Sequence, residues 1–392
     1  MCLFTGWICV LGWQSNITSV AFIAASQIQS LIAIFDSSYA FENWQGTLLI
    51  IAIGCISVIF NSYLARQLPT VENVILVLHI TGFFAILIPL WTLSPRNSAK
   101  MVFTQFTDGG NWGSIGLSCL VGKLGPVFTF IGPDSATHMA EEIKDASWVL
   151  PRAMMWTAVL NGSLGFAMLI TFCFCLGNIE DILANPDIMP FVQVFFNATK
   201  SEAGTSVLMT IFIILTICGV ISQVASASRQ MFAFARDDGL PFSKFLARIQ
   251  PGWDIPLNSV LASFLITIFL SLINIGSTTA FNALASLGTA ALLSSYIISI
   301  TCIRIKRWRR QPFPPTRWSL GRWGAPINDF SITYLWLVFI FCFFPQATPV
   351  TPQTMNWNIL IYGIVVCFAV GYYFVKGRYV YDGPIKLVRK DV

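Results

Sequence analysis

Apolar runs long enough to cross a bilayer recur along this chain, and they leave few folds open to it. A helix rises about 1.5 Å per residue, so about 20 apolar residues span the hydrocarbon core. Ten segments meet or approach that length: 2–33, 46–66, 71–94, 114–143, 148–177, 203–235, 256–277, 281–305, 331–346 and 357–376. The first and sixth are long enough to tilt or to project beyond the bilayer, and the ninth is short. The runs are continuous rather than alternating, which predicts helices and not a barrel. With 55% apolar and 10% charged residues, the chain carries too little charge for a soluble domain of its length. The expectation is an all-α polytopic membrane protein, with residues 1–392 forming one transmembrane unit.

The same composition narrows the chemistry. Nearly all of the ten cysteines lie inside apolar runs, without paired spacing, so neither a disulfide framework nor a zinc site is suggested. The histidines are His79 and His138 only, and HMAEE lacks the second histidine of a zinc-protease helix. No nucleophile motif and no repeated filter loop is present, so neither an enzyme nor a channel is expected. Nothing calls for a cofactor, a metal or a nucleic-acid partner. No cleavable signal peptide with a basic leader is evident.

Lysine and arginine set the orientation. With Met1 inside and the spans alternating, the inner loops hold Arg66, Lys144, Arg152, Arg229, Arg236, Lys244, Arg248 and a dense cluster from Arg304 to Arg322. The tail adds Lys376, Arg378, Lys386, Arg389 and Lys390, whereas the outer loops hold only Arg96, Lys100 and Lys200. A cytoplasmic C-terminus follows. The 304–322 cluster reads as a positive-inside anchor rather than a lipid-headgroup site. A sequon at Asn197 falls in an outer loop.

One stretch resists the helical pattern. FTFIGPDSATHMAEE, residues 128–142, sets Gly132-Pro133-Asp134 where a spanning helix should continue. Pro133 has no N–H to donate back to Thr129 and restricts Gly132, so a break is expected. A break would free carbonyls near Phe128, Thr129, Phe130 and Ile131. It would also start a second half-helix whose N–H groups, around Ser135 and Ala136, face a cavity. Paired cation and anion sites of this kind suit an amino acid zwitterion and mark secondary transporters; a plain proline kink is the competing reading. Asp134 is an intramembrane carboxylate, read either as a substrate or proton group or as a cap on the second half-helix. His138 is a hydrogen-bonded structural residue or a proton relay. Glu141 and Glu142 are expected to pair with loop basics at a gate or to be plainly solvated. Lys123, the one basic residue inside a span, is read first as paired with a carboxylate, and otherwise as snorkelling along a cavity or replacing a coupling cation.

Three stretches resemble a known family. FTGWICVLGWQSNITSVAF near the start, FTFIGPDSATHMAEEIKDASWVLPRAM in the middle and ASRQMFAFARDDGLPFSKF, ending at Phe245, look like fungal members of the amino acid–polyamine–organocation (APC) superfamily. The closest group is the amino acid/choline/4-aminobutyrate permeases, and the resemblance covers essentially the whole chain. It implies a LeuT-like inverted-repeat fold and alternating access, usually driven by protons. On that template the ten spans are the family's third to twelfth, and the chain is expected to be truncated at its N-terminus. Residues 1–94 then form an incomplete first repeat, 114–305 a complete second one, 331–376 two accessory helices and 377–392 a cytoplasmic tail. The plasma membrane and the vacuole both fit.

The resemblance places Phe128, Phe130, Ile131, Gly132, Pro133, Asp134 and Ser135 in the substrate-facing segment. Trp13, Gln14 and Asn16 become cavity candidates, with Ser222 and Ser286 as weaker ones. Arg229, Arg236 and Asp237 become gating or structural ion-pair residues. Amino acids, including 4-aminobutyrate, are the favoured substrates. Choline, bound through aromatic faces such as Phe128, Phe130 and Trp13, comes second. A non-transporting remnant or sensor is the reading from another class.

Overall fold

The computed structural model describes residues 2–36, 38–184, 187–250, 255–313 and 316–384, with backbone only over 278–282. The basic tail residues Lys386, Arg389 and Lys390 lie outside them. The elements are helices throughout: α1 (Cys2–Phe35), α2 (Asn43–Tyr63), α3 (Leu68–Leu93), α4 (Ala99–Thr104), α5 (Ile115–Gly122) and α6 (Leu124–Phe130). Then come α7 (Ser135–His138), α8 (Ala146–Cys175), α9 (Ile179–Leu183), α10 (Pro190–Thr199), α11 (Glu202–Arg236) and α12 (Ser243–Leu246). The chain ends with α13 (Leu257–Ser271), α14 (Ile273–Gly276), α15 (Thr278–Trp308), α16 (Gly324–Phe341), α17 (Asn358–Tyr372) and α18 (Arg378–Val380).

Among the described residues nine helical segments are long and apolar enough to cross a membrane. They match nine of the ten expected spans, and the tenth, 114–143, is the one broken into short pieces. The 34 residues of α1 and the 35 of α11 make rods of about 50 Å, longer than the bilayer core is thick. The expected span 331–346 sits too late. Helix α16 runs Gly324–Phe341, and Phe343 and Phe344 fall in the turn before Pro345, which disfavours helix in the residue ahead of it. Asn197 also differs from expectation: it lies within α10, where its amide oxygen accepts from Gln193 at 3.1 Å.

Helix α1 is the hub, packing against α2, α11, α13, α15 and α17. Small residues let backbones approach, and polar side chains bond across the helices. Gln14 of α1 donates to Ser263 of α13 at 2.9 Å, and Asn61 of α2 donates to the Ile221 carbonyl of α11 at 2.9 Å. At the α1–α15 crossing glycine appears on both sides. A Cβ on Gly12 would sit 2.7 Å from Leu292 Cγ, and one on Gly288 would sit 2.3 Å from Asn16 Oδ1. Helices α8 and α17, by contrast, are mostly exposed and apolar, as lipid-facing helices are.

Candidate functional site

The predicted break is present. Helix α6 ends at Phe130, Ile131 is extended, and Gly132 takes a φ of +110°. A side chain at Gly132 would meet nothing nearer than Trp13 at 3.8 Å. The glycine is therefore required by the backbone angle and not by crowding. Helix α7 follows for one turn, and a 3₁₀ turn, Ala140–Glu142, comes next.

The expected half-helix is not what forms. Four residues are too few to sum a useful dipole. The Ser135 N–H is already bonded to the Gly132 carbonyl at 2.9 Å, and the Phe128 carbonyl accepts from Ile131. Asp134 sits at the N-cap of α7, yet its side chain caps nothing. Instead the Tyr296 hydroxyl, from α15, donates to Asp134 Oδ1 at 2.5 Å, and Asp134 Oδ2 lies 3.3 Å from His138 Nε2. His138 Nε2 in turn accepts from the Trp13 indole at 3.0 Å, and Cys9 Sγ lies 4.0 Å from the same nitrogen. Cys9 and Trp13 are one helical turn apart on α1. An indole N–H can only donate, so this arrangement leaves Nε2 of His138 without a proton. The 3.3 Å contact with Asp134 Oδ2 then needs a proton between the two atoms.

Beside this cluster lies a cavity of about 650 Å³. Trp13 and Asn16 of α1, Ile131, Gly132 and Ser135 of the break, and Glu72 of α3 form its walls, with Ser222 and Arg229 on α11. Ser222 donates to Glu72 Oε1 at 2.5 Å. At the rim the Arg229 guanidinium forks onto Glu142, the second bond measuring 3.2 Å. Two helical turns further on, Arg236 forks onto Glu141 at 2.9 and 2.8 Å. Glu141 and Glu142 thus pair with Arg236 and Arg229 of α11. A smaller cavity of about 260 Å³ lies on the other side of the break, where Phe130 and Pro133 face Thr157 and Asn161 of α8.

Several candidates are placed elsewhere. Phe128 lines neither cavity. Gln14 is buried against Ser263, away from the cavity. Ser286 is tied up by Asn356 and Asn358, the latter at 2.7 Å. Asp237 is the C-cap of α11, next to Arg236. Lys123 has no carboxylate within ion-pair distance among the described residues; its ammonium lies 5.3 Å from the Tyr334 ring centre. A cation–aromatic contact takes the place of the expected ion pair, because no acid is within reach of that turn. Two residues escaped the sequence reading. Glu72 could have been flagged as an acid at the head of an apolar run. Tyr296 carries no local signal at all.

Comparison with known proteins adds the family. The family model described as amino acid permease matches residues 1–366. A Macrophomina phaseolina protein named for amino acid and polyamine transport is 30% identical over 357 residues, covering 90% of this chain and 78% of its own. Amino-acid permease 2 of Neurospora crassa is 28% identical over 395 residues, covering 98% of this chain and 71% of its own. The Choline transporter of Saccharomyces cerevisiae is 27% identical over 366 residues, covering 92% and 64%. A family match over most of the chain, and nine apolar helices and a broken tenth among the described residues, agree: this multi-pass membrane protein belongs to the amino acid permease family.

Proposed function

We propose that the chain is a secondary transporter that carries an amino acid or a related amine, 4-aminobutyrate included, through the cavity at the helix break. The observation that carries this reading is the break itself, whose Ile131 and Gly132 form part of the wall of a cavity that also holds Glu72, Ser222 and Arg229. Irregular backbone at membrane depth persists where protein buries it or where it lines such a space, and discontinuous helices of this kind mark transporter sites. Glu72 offers an acceptor for an ammonium group, and Arg229 and the polar side chains of Asn16, Ser135 and Ser222 face a carboxylate. A choline site needs aromatic faces on several sides. Trp13 faces the main cavity while Phe130 turns to the other one, which favours an amino acid over a quaternary amine.

Protons supply the drive through Asp134 and His138, whose shared contact depends on which of them is protonated. Alternating access opens and closes the rim at the Arg229–Glu142 and Arg236–Glu141 pairs. The basic loops and the C-terminus face the cytoplasm, in the plasma or vacuolar membrane. The broken segment with α8, α11, α13 and α15 forms one five-helix repeat, α1 to α3 belong to the other, and α16 and α17 are accessory.

The test is uptake of radiolabelled amino acids, 4-aminobutyrate and choline into proteoliposomes of the purified chain, with and without an imposed pH gradient. Gradient-dependent uptake of an amino acid or 4-aminobutyrate, with choline weaker, is expected. Substrate binding without flux would replace this reading by that of a sensor.

A further inference from the structure

No metal-ligand spacing is visible in the sequence, yet the fold brings one sulfur, one nitrogen and one oxygen donor together. Cys9 Sγ, His138 Nε2 and a carboxylate oxygen of Asp134 lie within 4.8 Å of one another. The first comes from α1 and the other two from the segment after the break. We propose that this trio binds a divalent transition cation of the zinc class, and that the bound ion arrests the carrier.

The geometry is close to what such an ion asks. Bonds of about 2.3 Å to sulfur and about 2.0–2.2 Å to nitrogen and oxygen, in a tetrahedron, separate S and N by about 3.6 Å and N and O by about 3.4 Å. The corresponding separations here are 4.0 and 3.3 Å. The nitrogen–oxygen edge is already set, while the sulfur has about 0.4 Å to close toward the nitrogen and up to about 1.2 Å toward the carboxylate oxygen, which lies within 4.8 Å of it. Tyr296 holds Asp134 Oδ1, which leaves Oδ2 for the ion and fixes the carboxylate plane, the support that metal ligands usually receive. Cys9 would give up its thiol proton on binding, so thiolate and carboxylate together balance the double charge in an apolar setting. A thiolate and an imidazole select zinc-like cations over magnesium or calcium, which take oxygen donors. Three protein ligands leave a fourth position for water from the adjoining cavity.

Occupation has a mechanical result. The ion takes the lone pair that Trp13 now uses, so the indole at the cavity wall loses its anchor. It also ties α1 to the break. This arrest rests on the transport reading above; binding of the ion does not.

Titration of the purified full chain with Co²⁺, followed by the thiolate-to-cobalt charge-transfer band, tests binding directly. A saturable band that Zn²⁺ displaces is expected, with Cys9→Ser losing the band and weakening Zn²⁺ competition at least about tenfold. No band, or an unchanged band in Cys9→Ser, overturns the site. Zn²⁺ should then inhibit uptake by the native chain and spare Cys9→Ser; equal inhibition of both, or of neither, overturns the arrest. A Cys9-dependent band in a protein that takes up no substrate would leave the site standing and sink the transport reading alone.

Discussion

The hydroxyl of Tyr296 on α15 donates to Oδ1 of Asp134, 162 positions earlier in the chain, and draws that carboxyl into a partly buried polar cluster with His138 rather than onto the N-terminus of α7. Tyr296→Phe, which deletes the hydroxyl that donates to Asp134 Oδ1, should lower proton-driven uptake by about tenfold and change its pH profile. Asp134→Asn should abolish gradient dependence while leaving surface expression intact. Initial rates in proteoliposomes at a series of external pH values decide; an unmoved profile in Tyr296→Phe would sink the coupling role.

Arg229 and Arg236 lie seven positions apart on one face of α11, each forked onto an acid of the Ala140–Glu142 turn. The glutamates are exposed while Arg229 and Arg236 are largely buried, so Glu141→Arg should barely change thermal stability and Arg236→Glu should lower it. Uptake should fall in Glu141→Arg and in Arg236→Glu and recover in part in the double reversal, because the pair acts in a conformational step. A double-mutant cycle on uptake rate, with a coupling energy near zero, would assign these ion pairs to plain solvation.

Gly132 is needed for its φ and not for space. Gly132→Ala should cost about 1–2 kcal/mol of backbone strain and reshape the break. Uptake should suffer far more than melting temperature. The reverse outcome, a large loss of stability with normal transport kinetics, would show that the break serves folding alone.

The α1–α15 crossing makes a separate stability prediction. Gly288→Ala drives a methyl into Asn16 Oδ1 and toward the Asn16 backbone nitrogen at 3.3 Å, so about 1–3 kcal/mol should be lost. Gly165→Ala on α8 meets nothing within 4 Å and should be neutral or stabilising by up to about 1 kcal/mol. Thermal unfolding in one detergent compares the two directly.

Much of the architecture was legible because a bilayer demands length and apolarity, and both are written in runs. The break was legible for a similar reason: Gly132-Pro133 removes a donor and permits a rare angle, whatever surrounds it. The partners of the break were not. Tyr296, Cys9 and Trp13 reach Asp134 and His138 only through helix packing, which leaves no local signature. Lys123 and Ser286 were misplaced for the same reason, since a helical side chain's neighbours depend on the rotation of its helix. Glu141 and Glu142 meet Arg236 and Arg229 of α11, since opposite charges at helix ends have few alternatives to one another.

The paired glycines where α1 crosses α15 carry one further consequence. With Gly12 against Leu292 and Gly288 against Asn16, the two helices meet nearly backbone to backbone, and no layer of long side chains remains there to shear. They should behave as a single stiff beam. Both polar tethers of the broken segment, Trp13 to His138 and Tyr296 to Asp134, end on that beam. Any displacement of the break must therefore either stretch one of these tethers or carry the beam with it.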